Sequence, residues 1–236
     1  MRILVVDQCS GAKKGTDRSE SLNEATVDNE PLSQLVAKEG IASYRAEELY
    51  QGRQQRKITE AIQSLEQAGD EVDRVFISAG FGLVDAEDEL PLYDVTFAHM
   101  SAAEIDARAE RLGIHDALRS RIIDNEYDVV FFALGSDYYR SAKMEPLLPE
   151  IPEDTFVVLF NREELESGYD NVVSIPARTP QAKTYGTIVV ALKGEYVYNF
   201  AFHRQTGTEM SDAEDVEKYC RREPASQTGL GDYSST

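Results

Sequence analysis

The sequence predicts an α/β fold: a single three-layer domain with a mostly parallel central sheet. Three observations carry that expectation. Short continuous apolar runs such as Ile3-Leu4-Val5-Val6 alternate with stretches of helical periodicity, as strands and crossover helices do. Each run stops at a glycine or a polar loop, the usual punctuation of a buried strand. The length of 236 residues is ample for one sizeable core.

Taken in order, Met1 to Asp7 reads as a buried strand, rich in β-branched residues and closed by a polar loop. Residues 9–39 follow as a mostly polar segment containing "TDRSESLNEATVDNEP". A stretch of that length is either an ordered lid or a partly mobile insertion, because long structureless loops are uncommon in compact domains unless functional. From Ser43 the pattern turns helical, with Ile58, Ile62 and Leu65 at i, i+4 and i+7 and Gly69 as a stop. "VDRVFISAG" is the second strand, and "FGLVDAEDELPLYDVTF" a loop punctuated by glycine and proline.

Helices are expected around Ala102 to Leu112 and Ile114 to Asp124, the second with Ile114, Leu118 and Ile122 on one face. Val129 to Leu134 is the third strand, ending at Gly135 and Ser136 before a helix that breaks at Pro146. "TFVVLFN" and "NVVSIPA" are the fourth and fifth strands, separated by the short helical "REELESG". The region 186–202 fits either a hairpin or a strand followed by a helix. The α/β domain is thus assigned to 1–205, with a polar insertion at about 15–42, and 206–236 to a partly disordered C-terminal segment.

Forty-three acidic against 24 basic residues give a formal charge of −19, on a chain whose 42% apolar content still supports a core. Such self-repulsion is screened in the cytoplasm of a salt-accumulating halophile, which is the favoured setting. Overall charge then excludes no nucleic-acid partner, and local basic clusters carry more information. No run reaches the roughly 18 to 20 apolar residues of a membrane span, so a cytoplasmic location without membrane attachment is expected. Cys9 and Cys220, with His99, His115 and His203, show neither disulfide nor metal spacing, and no metal or other cofactor is predicted.

Ligands of parallel sheets bind beyond the carboxyl ends of the strands. Three such ends begin at Cys9, Gly80 and Gly135. Cys9 follows the first strand, with Lys13 and Lys14 close by to favour a thiolate; it is a candidate nucleophile, or a packing cysteine beside solvated lysines. Asp7 and Ser10 flank it as candidate substrate contacts. Ser10 and Gly11 could help cradle an anion, although no P-loop pattern is present.

"ELYQGRQQRKI" concentrates Tyr50, Arg53, Arg56 and Lys57 at a helix entry in an acidic chain. It reads as a phosphate or nucleobase contact with Tyr50 as a stacking surface, or as surface charge paired with Glu47, Glu48 and Glu60. In the next loop Ser78, Gly80, Gly82 and Tyr93 are candidate substrate contacts. Asp94 there is a candidate general acid or base, or a turn cap. Gly135, Ser136, Tyr138 and Arg178 follow later strands, and Gly135 to Asp137 also fits an ordinary helix start.

Read together, "CSGAKK", "ELYQGRQQRKI" and "SAGFGLVDAEDELPLYDVTF" resemble the catalytic domain of archaeosine synthase, and also small YaaA-like proteins of bacteria and phages. The resemblance covers roughly residues 1–100. Gln8 stands where archaeosine synthase has proline, and Gln55 falls near that family's histidine. No counterpart of that family's accompanying transferase and RNA-binding domains is expected within these 236 residues.

The resemblance implies a uracil-DNA-glycosylase-like fold and a site directed at a nucleobase, nucleotide or nucleic acid. A (7-deaza)purine is one candidate, with Cys9, Lys13 and Asp94 in catalytic roles. The competing expectation is a non-catalytic nucleotide or nucleic-acid binding module, in stress response or virus-host conflict, with an unreactive Cys9. The sequence specifies no oligomeric state.

Overall fold

The computed structural model describes residues 1–17, 20–207 and 210–221. In chain order the elements begin with β1 (Arg2–Gln8), α1 (Glu24–Asn29), α2 (Leu32–Val36), β2 (Ser43–Arg45), α3 (Ala46–Leu49) and α4 (Arg53–Gln67). Next come β3 (Glu71–Ser78), β4 (Gly82–Asp85), β5 (Glu89–Pro91), α5 (Ala102–Arg111), α6 (Ile114–Ile123) and β6 (Val129–Phe132). Then follow α7 (Ser136–Ala142), α8 (Met144–Leu147), β7 (Phe156–Phe160), α9 (Glu163–Glu166) and β8 (Val172–Ile175). The last are α10 (Thr179–Thr184), α11 (Val189–Gln205) and α12 (Ala213–Cys220).

The main sheet has six strands in the order β4-β3-β1-β6-β7-β8, parallel except for β4. Alternation along β1 sends Ile3 and Val5 to one face and Leu4 and Val6 to the other, where each pair joins a separate core. The first face is covered by α4, α11 and α12, and the second by α5, α6, α7 and the segment between β1 and α4. This is the three-layer α/β domain that the sequence predicts.

Chain order gives the sheet a switch point. From β1 the chain moves outward to β3 and β4, then returns to place β6 on the other side of β1. The crevice between the carboxyl ends of β1 and β6 is where ligands of such sheets bind.

Several sequence expectations are revised. The loop after the second strand contains β4, antiparallel to β3, and β5, which pairs with β2 in a small second sheet. Ser43 to Arg45 is therefore strand rather than helix entry. The helix after β6 ends at Lys143, in left-handed backbone (φ 51°), and α8 runs through Pro146, which lies within its first turns where a missing N–H is tolerated. Residues 189–205 form one helix, with no hairpin or strand. α12 is not tail: Val216 and Cys220 are buried in the core. The remainder of the predicted disordered segment, 222–236, lies outside the described residues.

The insertion carries α1 and α2, tied to the body at several points. Leu22 bridges Tyr93 and Lys13 bridges Tyr50. Arg108 of α5 bonds Glu24 of α1 at 2.5 Å and Asp28 at 2.7 Å, and also donates to the Ala79 carbonyl. These contacts hold the segment over the carboxyl end of β3.

Candidate functional site

The residues predicted to form one site separate across the sheet. Asp7 continues the Ile3/Val5 face and is fully buried under α4. Its Oδ1 accepts from Gln54 at 2.7 Å, Gln55 at 3.1 Å and its neighbour Gln8 N–H at 2.8 Å; its Oδ2 accepts from Arg74 at 2.8 Å. Four protein donors thus converge on this carboxylate. Asp7 is accordingly a structural ion-pair hub and not the expected substrate contact.

Lys193 of α11 donates to the Leu134 carbonyl on the same face. Burial lowers its pKa to about 8, against the opposing attraction of Asp7.

On the opposite face, where β1, β3 and β6 end, a thiol, a lysine and four hydroxyl groups assemble. Cys9 is 5% exposed, its N–H bonds the Ile77 carbonyl at 3.0 Å, and its Sγ lies 2.9 Å from the Tyr138 hydroxyl. Tyr138 enters from α7 across the β1/β6 crevice and also reaches the Cys9 carbonyl at 3.4 Å. Ser78, at the end of β3, lies 2.8 Å from the Tyr93 hydroxyl, which lies 2.7 Å from that of Tyr50.

Lys13 is only 9% exposed, and its ammonium sits 4.4 Å from the centre of the Tyr93 ring. Among the described residues it meets no carboxylate within ion-pair distance and no hydrogen-bond acceptor. Burial lowers its pKa, while the charges of Cys9 and Asp94 act to raise it.

Burial drives the pKa values of Tyr50, Tyr93 and Tyr138 upward, and negative charge at Cys9 adds to the rise in each. All three phenols therefore remain proton donors at neutral pH. Of the three, Tyr138 meets the Cys9 sulfur directly.

The other predicted residues fall into place around this cluster. Tyr50 is 1% exposed and packed at 5.0 Å on Phe76, so it offers no face on which a base could stack, and that expectation is corrected. Gly80 and Gly82 serve packing. A Cβ at Gly80 would lie 2.8 Å from the Tyr93 ring, and one at Gly82 (φ 77°) would lie 2.9 Å from the Leu112 carbonyl. Gly135 precedes α7 and gives its N–H to Gln8 Oε1 at 2.6 Å.

Ser10 lies in the loop after Cys9 and accepts from the Ala12 N–H at 3.1 Å. Arg53 and Arg56 are exposed at the start of α4, and Arg56 is turned back onto the Gln51 carbonyl at 3.0 Å. Arg178 is engaged by Glu163 at 2.8 Å. Asp94 is exposed and lines a cavity of about 570 Å³ together with His99 and Arg108. A second cavity, about 620 Å³, lies beyond β6 and is lined by Ser136, Asp137, Tyr139 and Arg162. The two cavities share Met100 and flank the cysteine cluster without including Cys9 among their lining residues. Among the described residues no group of three His, Cys, Asp or Glu side chains is placed to hold a metal ion.

Sequence reasoning missed Gln54, Arg74 and Lys193. A signal existed for two of them: Gln54 lies in register with the buried stripe Ile58, Ala61 and Leu65, and Arg74 interrupts an otherwise apolar strand. Lys193 carried no such mark.

Fold and site together define a three-layer α/β protein with a cysteine, lysine and tyrosine cluster at the switch point of its sheet. The chain belongs to a family of unknown function, DUF6884, which matches residues 36–168, more than half its length. That match takes in Tyr50, Ser78, Tyr93, Asp94 and Tyr138 and begins after Cys9 and Lys13. No curated protein matches the chain. No helix among the described residues is long and apolar enough to cross a membrane.

Proposed function

We propose that the protein is an enzyme directed at a nucleobase or nucleotide, in which Cys9 forms a transient covalent adduct. The observation that carries this reading is the Cys9 sulfur at the switch point of the sheet, 2.9 Å from the Tyr138 hydroxyl, with the charge of the largely buried Lys13 near enough to interact with it. In the adduct-forming step the Cys9 sulfur supplies an electron pair to an electron-poor C=N carbon of the base. A C–S bond forms, the π pair moves to the nitrogen, and that nitrogen takes a proton from Lys13. That proton is the thiol's own, taken up by neutral Lys13 as the thiolate formed before the attack, so the step balances with no external oxidant or reductant.

Tyr138, 2.9 Å from the sulfur, stabilises the thiolate by donating to it. Phe81, half-buried and edge-on to Tyr93 at 4.9 Å, supplies an aromatic rim suited to a flat ring. The motif resemblance to archaeosine synthase supports a base as the substrate.

The test is alkylation of native Cys9 by iodoacetamide at neutral pH, read by peptide mass, in the full chain and in Lys13→Gln. Cys220, fully buried, provides an internal unreactive thiol. Removal of the cation is expected to slow Cys9 alkylation about tenfold. A Cys9 as inert as Cys220 would sink the covalent mechanism.

One observation favours a second reading, a non-catalytic nucleotide or nucleic-acid binder. Arg53 is exposed at the uncapped N-terminus of α4 and makes no hydrogen bond through its side chain among the described residues. In that case Arg53→Ala weakens nucleotide binding, while Cys9→Ser leaves it intact.

A further inference from the structure

The cavity of about 620 Å³ is lined by residues that follow β6 and β7, at the end of a parallel sheet where ligands bind. Small-molecule sites span about 300–1,000 Å³, so a nucleotide fits. The half-buried cation of its wall is Arg162, two residues past β7, and the fold fixes that residue from two sides.

Its guanidinium lies 4.7 Å from the centre of the Tyr139 ring. That ring is itself locked, because its hydroxyl donates to the Phe132 carbonyl at 2.8 Å and accepts from the Phe160 N–H at 2.9 Å. The backbone is held as well. Arg162 N–H bonds Ser174 Oγ at 2.8 Å, and the side chain of Asn161 pairs with the Ala177 backbone at 2.7 and 3.2 Å.

Asn161 (φ 58°) and Lys143 (φ 51°) are the two non-glycine residues with left-handed backbone among the described residues. Lys143 lines the cavity, and Asn161 delivers Arg162 into its wall. Side chains kept in such backbone are held there by their surroundings, and they gather at ligand clamps.

So positioned, Arg162 commits little of its bonding capacity to protein. Nη1 donates to the Asn161 carbonyl at 3.2 Å, and Glu164, its side chain 64% exposed, stands 3.8 Å away. Nε and Nη2, the edge that grips a phosphate through two parallel bonds, meet no protein acceptor among the described residues. Lys143 is exposed and forms no ion pair among the described residues, whereas Arg140 is engaged by Asp106. Ile105, Met144 and Leu165 add apolar wall, and Asp137 adds an acceptor.

We propose that this cavity binds a nucleotide: Arg162 and Lys143 hold the phosphate, the apolar side chains flank the base, and Asp137 accepts from its amino group. This rests on the reading of the ligand as a nucleotide and places its phosphate outside the cysteine cluster. α7 joins the two, since Asp137 and Tyr139 line the cavity while Tyr138 between them meets the Cys9 sulfur at 2.9 Å.

The test is titration calorimetry with AMP, GMP, adenosine and inorganic phosphate at one fixed, moderate KCl concentration. Arg162→Gln is expected to weaken nucleotide binding about tenfold and to leave adenosine binding unchanged. Lys143→Gly, which suits the left-handed backbone and serves if Arg162→Gln does not fold, is expected to weaken it about threefold.

Nucleotide affinity kept in both folded variants but lost in Arg53→Ala puts the phosphate at α4, which overturns this site and leaves the nucleotide reading standing. Inorganic phosphate bound as tightly as AMP, with the same dependence on Arg162, reduces the cavity to a bare-anion site and overturns its assignment to a nucleotide. Failure of both AMP and GMP to bind the wild-type chain overturns this site and the nucleotide reading together.

Discussion

At the scale of single residues, the molecule separates groups that support from groups that react, and Asp7 shows how. It stands two positions before Cys9, and alternation alone would put both on one face; β1 ends at Gln8, and the turn there carries Cys9 to the other face while Gln54, Gln55 and Arg74 hold Asp7. Removing one member of such a buried pair strands its partner, as Arg74 is 6% exposed and its Nε already lacks an acceptor. Asp7→Ala is therefore expected to cost about 3–5 kcal/mol of stability in a urea titration. Full stability in that variant would show that Asp7 is not the hub described. Cys9, Lys13 and Ser78 stood out in the sequence as candidates because each lies at or just past the end of a strand, and the fold brings them to one end of the sheet. The burial of Tyr50 was not legible, because a tyrosine two positions before a glycine and three before an arginine reads as exposed until the fold covers it.

At the scale of elements, the strands were the most legible and the segments between them the least. β4 and β5 escaped notice because each is only three or four residues long, too short to display alternation amid glycine and acidic residues. The mixed periodicity of "ALKGEYVYNFA" also has a cause: α11 packs against α4, α10 and α12 as well as the sheet, so no single apolar stripe develops. α4 and α11 run side by side through a close approach at Gly194. A Cβ there would lie 2.9 Å from the Gln54 carbonyl and 2.9 Å from the Lys57 Cβ. Gly194→Ala must push the helices apart, and a loss of about 1–3 kcal/mol in thermal or urea unfolding is expected. Because Gln54 holds Asp7, the same variant should loosen the hub, visible as faster amide exchange at the start of α4.

At the scale of the whole molecule, a net charge of −19 opposes compaction, so the melting temperature at pH 7 is expected to rise as KCl goes from about 0.1 to about 2 M. A melting temperature indifferent to salt would mean that the charge is balanced locally. Acid acts in the other direction. Burial alone would raise the pKa of Asp70, but hydrogen bonds and attraction from Arg204 and the N-terminal amine lower it below the usual carboxylate value, and Arg108 and Arg111 do the same for Asp28. A carboxylate with a depressed folded pKa contributes stability that is complete above its unfolded value, about 4, and lost as pH falls through the folded one. In high salt, where repulsion is screened, stability should accordingly decline below about pH 4, and Arg204→Met should reduce that decline.

By itself the sequence determined the alternation of strands and helices and the strand ends where chemistry could gather, because hydrophobic periodicity and turn residues are local properties. Only the tertiary structure decided which of those residues meet. The end of β1 at Gln8 left Asp7 under one face and turned Cys9 to the other, crossover order placed β6 beside β1 so that Tyr138 reaches Cys9, and long-range packing buried Tyr50 against Phe76 and the Tyr93 hydroxyl.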